Sequence, residues 1–205
     1  YTNSEDKDIL TESNIGMAIR FKQDDLSVLG RTARGVKAMN LRGEEEVIGL
    51  ELAEPGKTLF TVSEAGFGKR TLLSEYPVIK RAGRGVLDIK TDDRNGQVVR
   101  MNAVGEEDDL FIITKKKVVR TPVSDFRIIG RNTKGVKVVN LDEDDEIFGP
   151  FKADFSNETK SWCLDTETTT LTDDVYQVKA IATDYVINKS TDSAHGYVNA
   201  PTLDI

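Results

Sequence analysis

The sequence predicts an all-β, propeller-like fold. Three observations carry that prediction: a repeat with a period of 50 residues, short apolar runs bounded by turn residues, and little helical periodicity. The repeat is read directly from the residues. Gly30-Arg31-Thr32-Ala33-Arg34-Gly35-Val36-Lys37 is followed by Lys80-Arg81-Ala82-Gly83-Arg84-Gly85-Val86-Leu87, and then by Gly130-Arg131-Asn132-Thr133-Lys134-Gly135-Val136-Lys137. Upstream, Arg20, Arg70 and Arg120 keep the same spacing, as do Leu26, Tyr76 and Phe126, and Leu29, Ile79 and Ile129.

The repeats divide the chain into three blades, residues 1–54, 55–104 and 105–151, followed by a divergent β-rich segment, 152–205. In the second repeat the apolar runs predict four strands, at Thr58–Ser63, Gly68–Leu73, Gly85–Thr91 and Gln97–Val104, with Asp93-Arg94-Asn95-Gly96 as the turn before the last. About 50 residues and four antiparallel strands is the size of a propeller blade. The last segment breaks the columns but keeps strand-like stretches at 175–181 and 184–187, which suit a capping blade or a tail.

Composition narrows the function classes. Charged residues make up 31% of the 205 and hydrophobic residues 38%, which suits a folded chain, and no apolar run is long enough to span a membrane. One cysteine, Cys163, excludes a disulfide framework within the chain, and the acidic, polar start has no signal-peptide character. A cytoplasmic protein is expected. One histidine, His195, leaves hydrolase triads and multi-histidine metal sites without members, so neither a catalytic nor a metal site is predicted.

The net charge of −7 argues against a polyanionic partner until its distribution is considered. From Arg20 to Lys37, Lys69 to Lys90 and Lys115 to Lys137 there are nineteen basic residues against five acidic. Acidic residues gather instead in Glu44-Glu45-Glu46, Glu106-Glu107-Asp108-Asp109 and Asp142-Glu143-Asp144-Asp145-Glu146. Equivalent positions in a repeat fold occupy equivalent places on successive blades, so the basic columns predict a stripe suited to an extended polyanion. The candidate phosphate contacts are Arg20, Arg31, Arg34, Lys37, Lys69, Arg70, Lys80, Arg81, Arg84, Lys115, Lys116, Lys117, Arg120, Arg131, Lys134 and Lys137. Duplex DNA is favoured over single-stranded RNA, because the columns lack interleaved aromatics for base stacking.

Two local patterns are weaker. Gly66-Phe67-Gly68-Lys69-Arg70 is like a phosphate-binding loop, but Arg70 stands where the hydroxyl residue belongs. Asp165-Thr166-Glu167 is like the first motif of metal-dependent exonucleases, and too few residues follow to supply the remaining motifs.

The segments Gly66-Phe67-Gly68-Lys69-Arg70-Thr71, Glu75-Tyr76-Pro77, Arg84-Gly85-Val86-Leu87-Asp88-Ile89-Lys90, Arg94-Asn95-Gly96-Gln97-Val98-Val99 and Gly130-Arg131-Asn132-Thr133-Lys134-Gly135-Val136 resemble the C-terminal domain of the A subunit of bacterial DNA gyrase, a type IIA topoisomerase. The resemblance covers residues 9 to 150. It implies β-pinwheel blades that bind duplex DNA on a basic rim and bend it, in the service of ATP-dependent negative supercoiling. The implied partners are the rest of the A subunit, together with the B subunit. No cofactor is expected in this segment, with ATP and magnesium implied for the whole enzyme. The family's hallmark heptad, Gln-(Arg/Lys)-Arg-Gly-Gly-(Arg/Lys)-Gly, is absent, and Ile79-Lys80-Arg81-Ala82-Gly83-Arg84-Gly85 is the nearest equivalent. The alternatives are the similar domain of topoisomerase IV and a propeller-like protein-interaction scaffold.

Overall fold

The computed structural model describes residues 7–27, 29, 34–156, 161–164, 177–183 and 189–195. The first repeat contributes β1 (Asp8–Ser13), β2 (Met17–Lys22) and β3 (Val47–Ala53). The second contributes β4 (Thr58–Ser63), β5 (Phe67–Leu72), β6 (Val86–Leu87) and β7 (Val98–Val104). The third contributes β8 (Asp109–Thr114), β9 (Val118–Pro122), β10 (Val136–Lys137) and β11 (Ile147–Ser156), and beyond it lie β12 (Ser161–Leu164), β13 (Gln177–Thr183) and β14 (Lys189–His195).

Three four-stranded antiparallel sheets follow one another, ordered β3-β1-β2-β6, β10-β5-β4-β7 and β12-β11-β8-β9. Their composition corrects the expectation of four strands per repeat. The outer strand of each of the first two sheets comes from the next repeat: Val86 and Leu87 pair with Ala18 and Met17, and Val136 and Lys137 pair with Gly68 and Phe67. The predicted strand over 85–91 accordingly shrinks to two residues. Gly85 (φ +83°) and Gly135 (φ +74°) begin these donated segments, and a Cβ would meet the Ala18 carbonyl oxygen at 2.3 Å or that of Gly68 at 2.5 Å. Only glycine allows both the left-handed backbone and the close approach.

The strands β1 and β4 are buried at every residue, whereas β8 alternates, as a strand covered on one face does. Each sheet carries a register shift near the end of its inner pair, at Glu12/Ser13, Val62/Ser63 and Ile147/Gly149. The predicted turn at 93–96 is present: Asn95 Nδ2 donates to Lys90 O at 2.7 Å, and the Asp92 amide donates to Asn95 Oδ1 at 2.9 Å. Short 3-10 turns that the periodicity did not announce follow each hairpin, at Gln23–Asp25, Leu73–Glu75 and Val123–Asp125. Among the described residues no helix is long and apolar enough to cross a membrane.

Two core clusters lie between successive sheets, and a third, Ile9, Ile19, Phe21 and Met39, belongs to the first repeat with Ile79 of the second packed against it. Leu10, Ala18 and Ala53 of the first repeat pack with Leu59, Leu73, Tyr76 and Met101 of the second, and Phe60, Val62 and Val104 pack with Leu110, Ile112, Val123, Val139 and Ile147 of the third. In both of these clusters one blade covers the apolar face of the next, so the blades stabilise one another. In the divergent segment β12 adds a fourth strand to the third sheet beside β11, and β13 pairs with β14. The stretch expected at 184–187 and the exonuclease-like Asp165-Thr166-Glu167 lie outside the described residues.

Candidate nucleic-acid interface

Most of the repeated arginines face the joints between blades, not solvent. Arg20 Nε donates to Asp8 Oδ2 at 2.8 Å and its Nη1 to Leu73 O, also at 2.8 Å, in the next repeat. Fifty residues on, Arg70 donates from Nε to Thr58 Oγ1 at 2.9 Å, from Nη1 to Val123 O at 3.1 Å, and pairs with Glu106. Each of these arginines thus takes up a carbonyl of the 3-10 turn in the following blade. Arg120 ends the column on the surface, with its side chain 45% exposed and 3.1 Å from Asp109 Oδ2.

The next column reaches the opposite way. Arg81 donates to Asp25 O at 2.9 Å and to Lys37 O at 3.0 Å, and Arg131 donates to Leu87 O at 2.9 Å while its guanidinium lies 5.9 Å from the centre of the Tyr76 ring. Lys37 and Leu87 are equivalent positions, so this is one latch used twice. Arg31 lies outside the described residues. The third column forms ion pairs to the acidic turn of the preceding repeat, Arg84 with Glu45 and Lys134 with Asp92. The hydrogen bond from Arg84 holds the Glu45 carboxyl below the usual carboxylate range, and the one from Lys134 does the same for Asp92. Arg34, first of that column, is exposed and has no ion-pair partner among the described residues.

Lys69 departs furthest from the expected stripe. Its side chain is fully buried, 2.9 Å from Asp88 Oδ1, and donates to Asp88 O at 2.7 Å and Gly130 O at 3.3 Å. Arg70 is 4% exposed. These two therefore cannot reach a phosphate, and Arg20, Arg81, Arg84, Arg131 and Lys134 are committed to contacts between repeats. The reason is geometric: a joint that recurs every 50 residues needs the same cation every 50 residues. The phosphate-loop pattern at 66–70 is accounted for in the same way, since it forms a hairpin whose lysine points into the joint.

Of the sixteen candidates, Arg34, Lys37, Lys80, Lys115, Lys116, Arg120 and Lys137 are exposed, with Lys117 half-buried. Lys37 donates to Asn40 Oδ1 at 2.7 Å, Lys137 to Ala65 O at 2.7 Å, Lys116 to Glu143 O, and Lys117 lies 3.1 Å from Asp142 Oδ2. Lys90, Arg94 and Arg127 are also exposed and were missed, because they stand outside the repeating columns. Their loop positions beside the Asp93–Gly96 turn and after the third 3-10 turn were the available signal. Arg94 and Lys137 flank the Phe67 ring at 5.0 and 4.8 Å from its centre, so two cations from successive repeats converge on one edge. Among the described residues no group of three or more histidine, cysteine or acidic side chains could hold a metal ion.

The family model described as DNA gyrase C-terminal domain, beta-propeller, matches residues 7–54, 57–104 and 108–154, one match for each blade. The DNA gyrase A subunit of Kosmotoga olearia is 46% identical over 149 residues, covering 71% of this chain and 18% of that protein. Its counterpart from Salmonella typhimurium is 38% identical over 143 residues, covering 69% and 16%. The chain spans less than a fifth of the length of these curated relatives. A solved DNA gyrase A C-terminal domain superposes with a TM-score of 0.68 at 29% identity, covering 72% of this chain and 51% of that one. The C-terminal domain of a DNA topoisomerase IV shares the fold, with a TM-score of 0.69 at 21% identity over 74% of this chain and 48% of its own.

Proposed function

The chain belongs to the DNA gyrase C-terminal domain family, and on that premise we propose that it binds and bends duplex DNA as a non-catalytic segment of a gyrase A subunit. The observation that supports this reading is a set of exposed cations, Lys80, Lys90 and Arg94 on loops of the second blade and Arg127 on the third, that have no ion-pair partner among the described residues. With Arg34, Lys37, Lys115, Lys116, Arg120 and Lys137 they form the proposed rim.

Phosphate neutralisation releases condensed counterions, which supplies affinity without reading sequence. It also offsets the elastic cost of curving a duplex, on the order of 1–6 kcal/mol for a 20–30 bp site. In the whole enzyme the remainder of the A subunit, the B subunit, ATP and magnesium would supply strand cleavage and energy, in the bacterial cytoplasm at the nucleoid. The relatives favour gyrase over topoisomerase IV as the parent. A scaffold reading finds support in Leu50 and Leu52, which stand 60% and 40% exposed on β3.

Fluorescence anisotropy with a mixed-sequence duplex of roughly 40 base pairs tests the proposal. Affinity should fall by orders of magnitude between about 50 and 200 mM salt and depend little on sequence. Affinity that is flat with salt, or absent in a folded chain, rejects the DNA reading in favour of the scaffold.

A further inference from the structure

The two blade joints use different chemistry at equivalent positions. Between blades 2 and 3 stand Val62, Val119, Phe126 and Val138, all apolar and all in one core cluster. Fifty residues earlier, between blades 1 and 2, stand Glu12, Lys69, Tyr76 and Asp88, each no more than 2% exposed. The equivalence is structural as well as numerical: the Asp88 amide donates to Gly16 O, and the Val138 amide donates to Gly66 O.

Asp88 is the hub of the polar joint. Its Oδ1 accepts from Tyr76 Oη and lies 2.9 Å from Lys69 Nζ, and its Oδ2 accepts from Thr61 Oγ1 at 2.8 Å. Thr61 Oγ1 is also 3.4 Å from Glu12 Oε2. A hydroxyl has one proton, and the shorter contact assigns it to Asp88, so Glu12 meets a lone pair. That meeting is a hydrogen bond only when Glu12 itself carries a proton. Charge leads to the same state: with both carboxyls ionised, Lys69 would leave one buried negative charge uncompensated. Glu12 Oε1 is buried without a hydrogen-bond partner. Among the described residues the titratable groups that face Glu12 are Asp88, Lys69 and Tyr76; Glu12 is the only one of the four from the first repeat, and Asp88 directly follows the strand β6 that completes the first sheet.

We propose that the joint between blades 1 and 2 is a proton-operated hinge, closed on Glu12 as the neutral acid and loosened when Glu12 ionises, while the apolar joint between blades 2 and 3 stays closed. Burial first, then the charge of Asp88, raises the Glu12 pKa well above its ordinary value. A raised acid stabilises the closed joint fully below the unfolded-state pKa of about 4.3, and the contribution disappears as pH climbs through the folded value. In an arc of blades, a joint that loosens alone changes curvature.

The test is amide hydrogen exchange, corrected for intrinsic rates, across roughly pH 5 to 9, comparing β1 and β2 with β8 and β9. Protection of β1 and β2 should fall by up to about tenfold per pH unit above the unfolded-state pKa and level off once Glu12 ionises in the closed joint, with β8 and β9 unchanged. Glu12→Gln should abolish that slope and keep the joint closed at high pH. If the glutamine variant does not fold, Glu12→Val installs the residue found at the equivalent position of the next joint and leaves Lys69 and Asp88 as a balanced pair. A wild-type chain whose β1 and β2 protection is independent of pH overturns the hinge. So does a slope that the substituted chain retains.

Discussion

Lys69 shows what a single buried charge costs and contributes. Its ammonium is held by the Asp88 carboxylate and two carbonyls, so removing it strands Asp88 with only hydroxyl donors. Lys69→Met should destabilise the chain by about 3–5 kcal/mol in denaturant unfolding, because an uncompensated buried carboxylate remains. Glu54 is the opposite case, a surface acid held by Lys57 and Lys7 and pushed down to about 2. A depressed pKa gives stability that is present above the unfolded value and lost as pH falls through the folded one. Acid unfolding followed by circular dichroism should show Glu54→Gln removing a small part of the loss between about pH 4 and 2, small because the groups are solvent-screened.

The donated outer strand is the element that makes blades into an arc. Gly85 and Gly35 have nearly the same backbone, φ +83° and +78°, yet a Cβ at Gly85 meets Ala18 O at 2.3 Å, while one at Gly35 meets nothing within 4 Å. Gly35→Ala should therefore cost only the left-handed strain, about 1 kcal/mol. Gly85→Ala should cost clearly more and expose the amides of β6 to exchange, since the strand cannot seat without moving the backbone of β2. Equal melting temperatures for the two variants would show that the seating of β6 contributes no cooperativity.

Across the whole molecule the charge pattern separates into latches and the proposed rim. Reversing Lys80 and Arg127 should weaken DNA binding at least tenfold and lower the salt slope by about 0.9 for each phosphate no longer neutralised, with the melting temperature nearly unchanged. Reversing Arg81 and Arg131 should instead lower the melting temperature, because their guanidinium groups hold carbonyls of the preceding repeat at 2.9–3.0 Å. A matched set of DNA titrations and thermal scans on both pairs distinguishes the roles. Should Arg81 and Arg131 carry the DNA affinity at unchanged stability, the division proposed between latch and rim fails.

The 50-residue period, the turn at 93–96, the strand at 58–63 and, to within one residue, the strand expected at 97–104 were legible from residue order alone. They rest on local chemistry: alternation, glycine and asparagine in turns, and apolar positions that repeat. The family resemblance was legible for the same reason, because its motifs are contiguous. What the columns of Arg20, Arg70, Arg81, Arg84 and Arg131 do was decided only by the tertiary structure. A recurring residue reports a recurring environment, and an inward joint recurs with the same period as an outward rim. The strand exchange between repeats turns those cations toward a neighbouring blade, and it joins segments about 70 residues apart, Met17 with Leu87 and Phe67 with Lys137. No local pattern encodes that partner, because the contact exists only once two blades have packed.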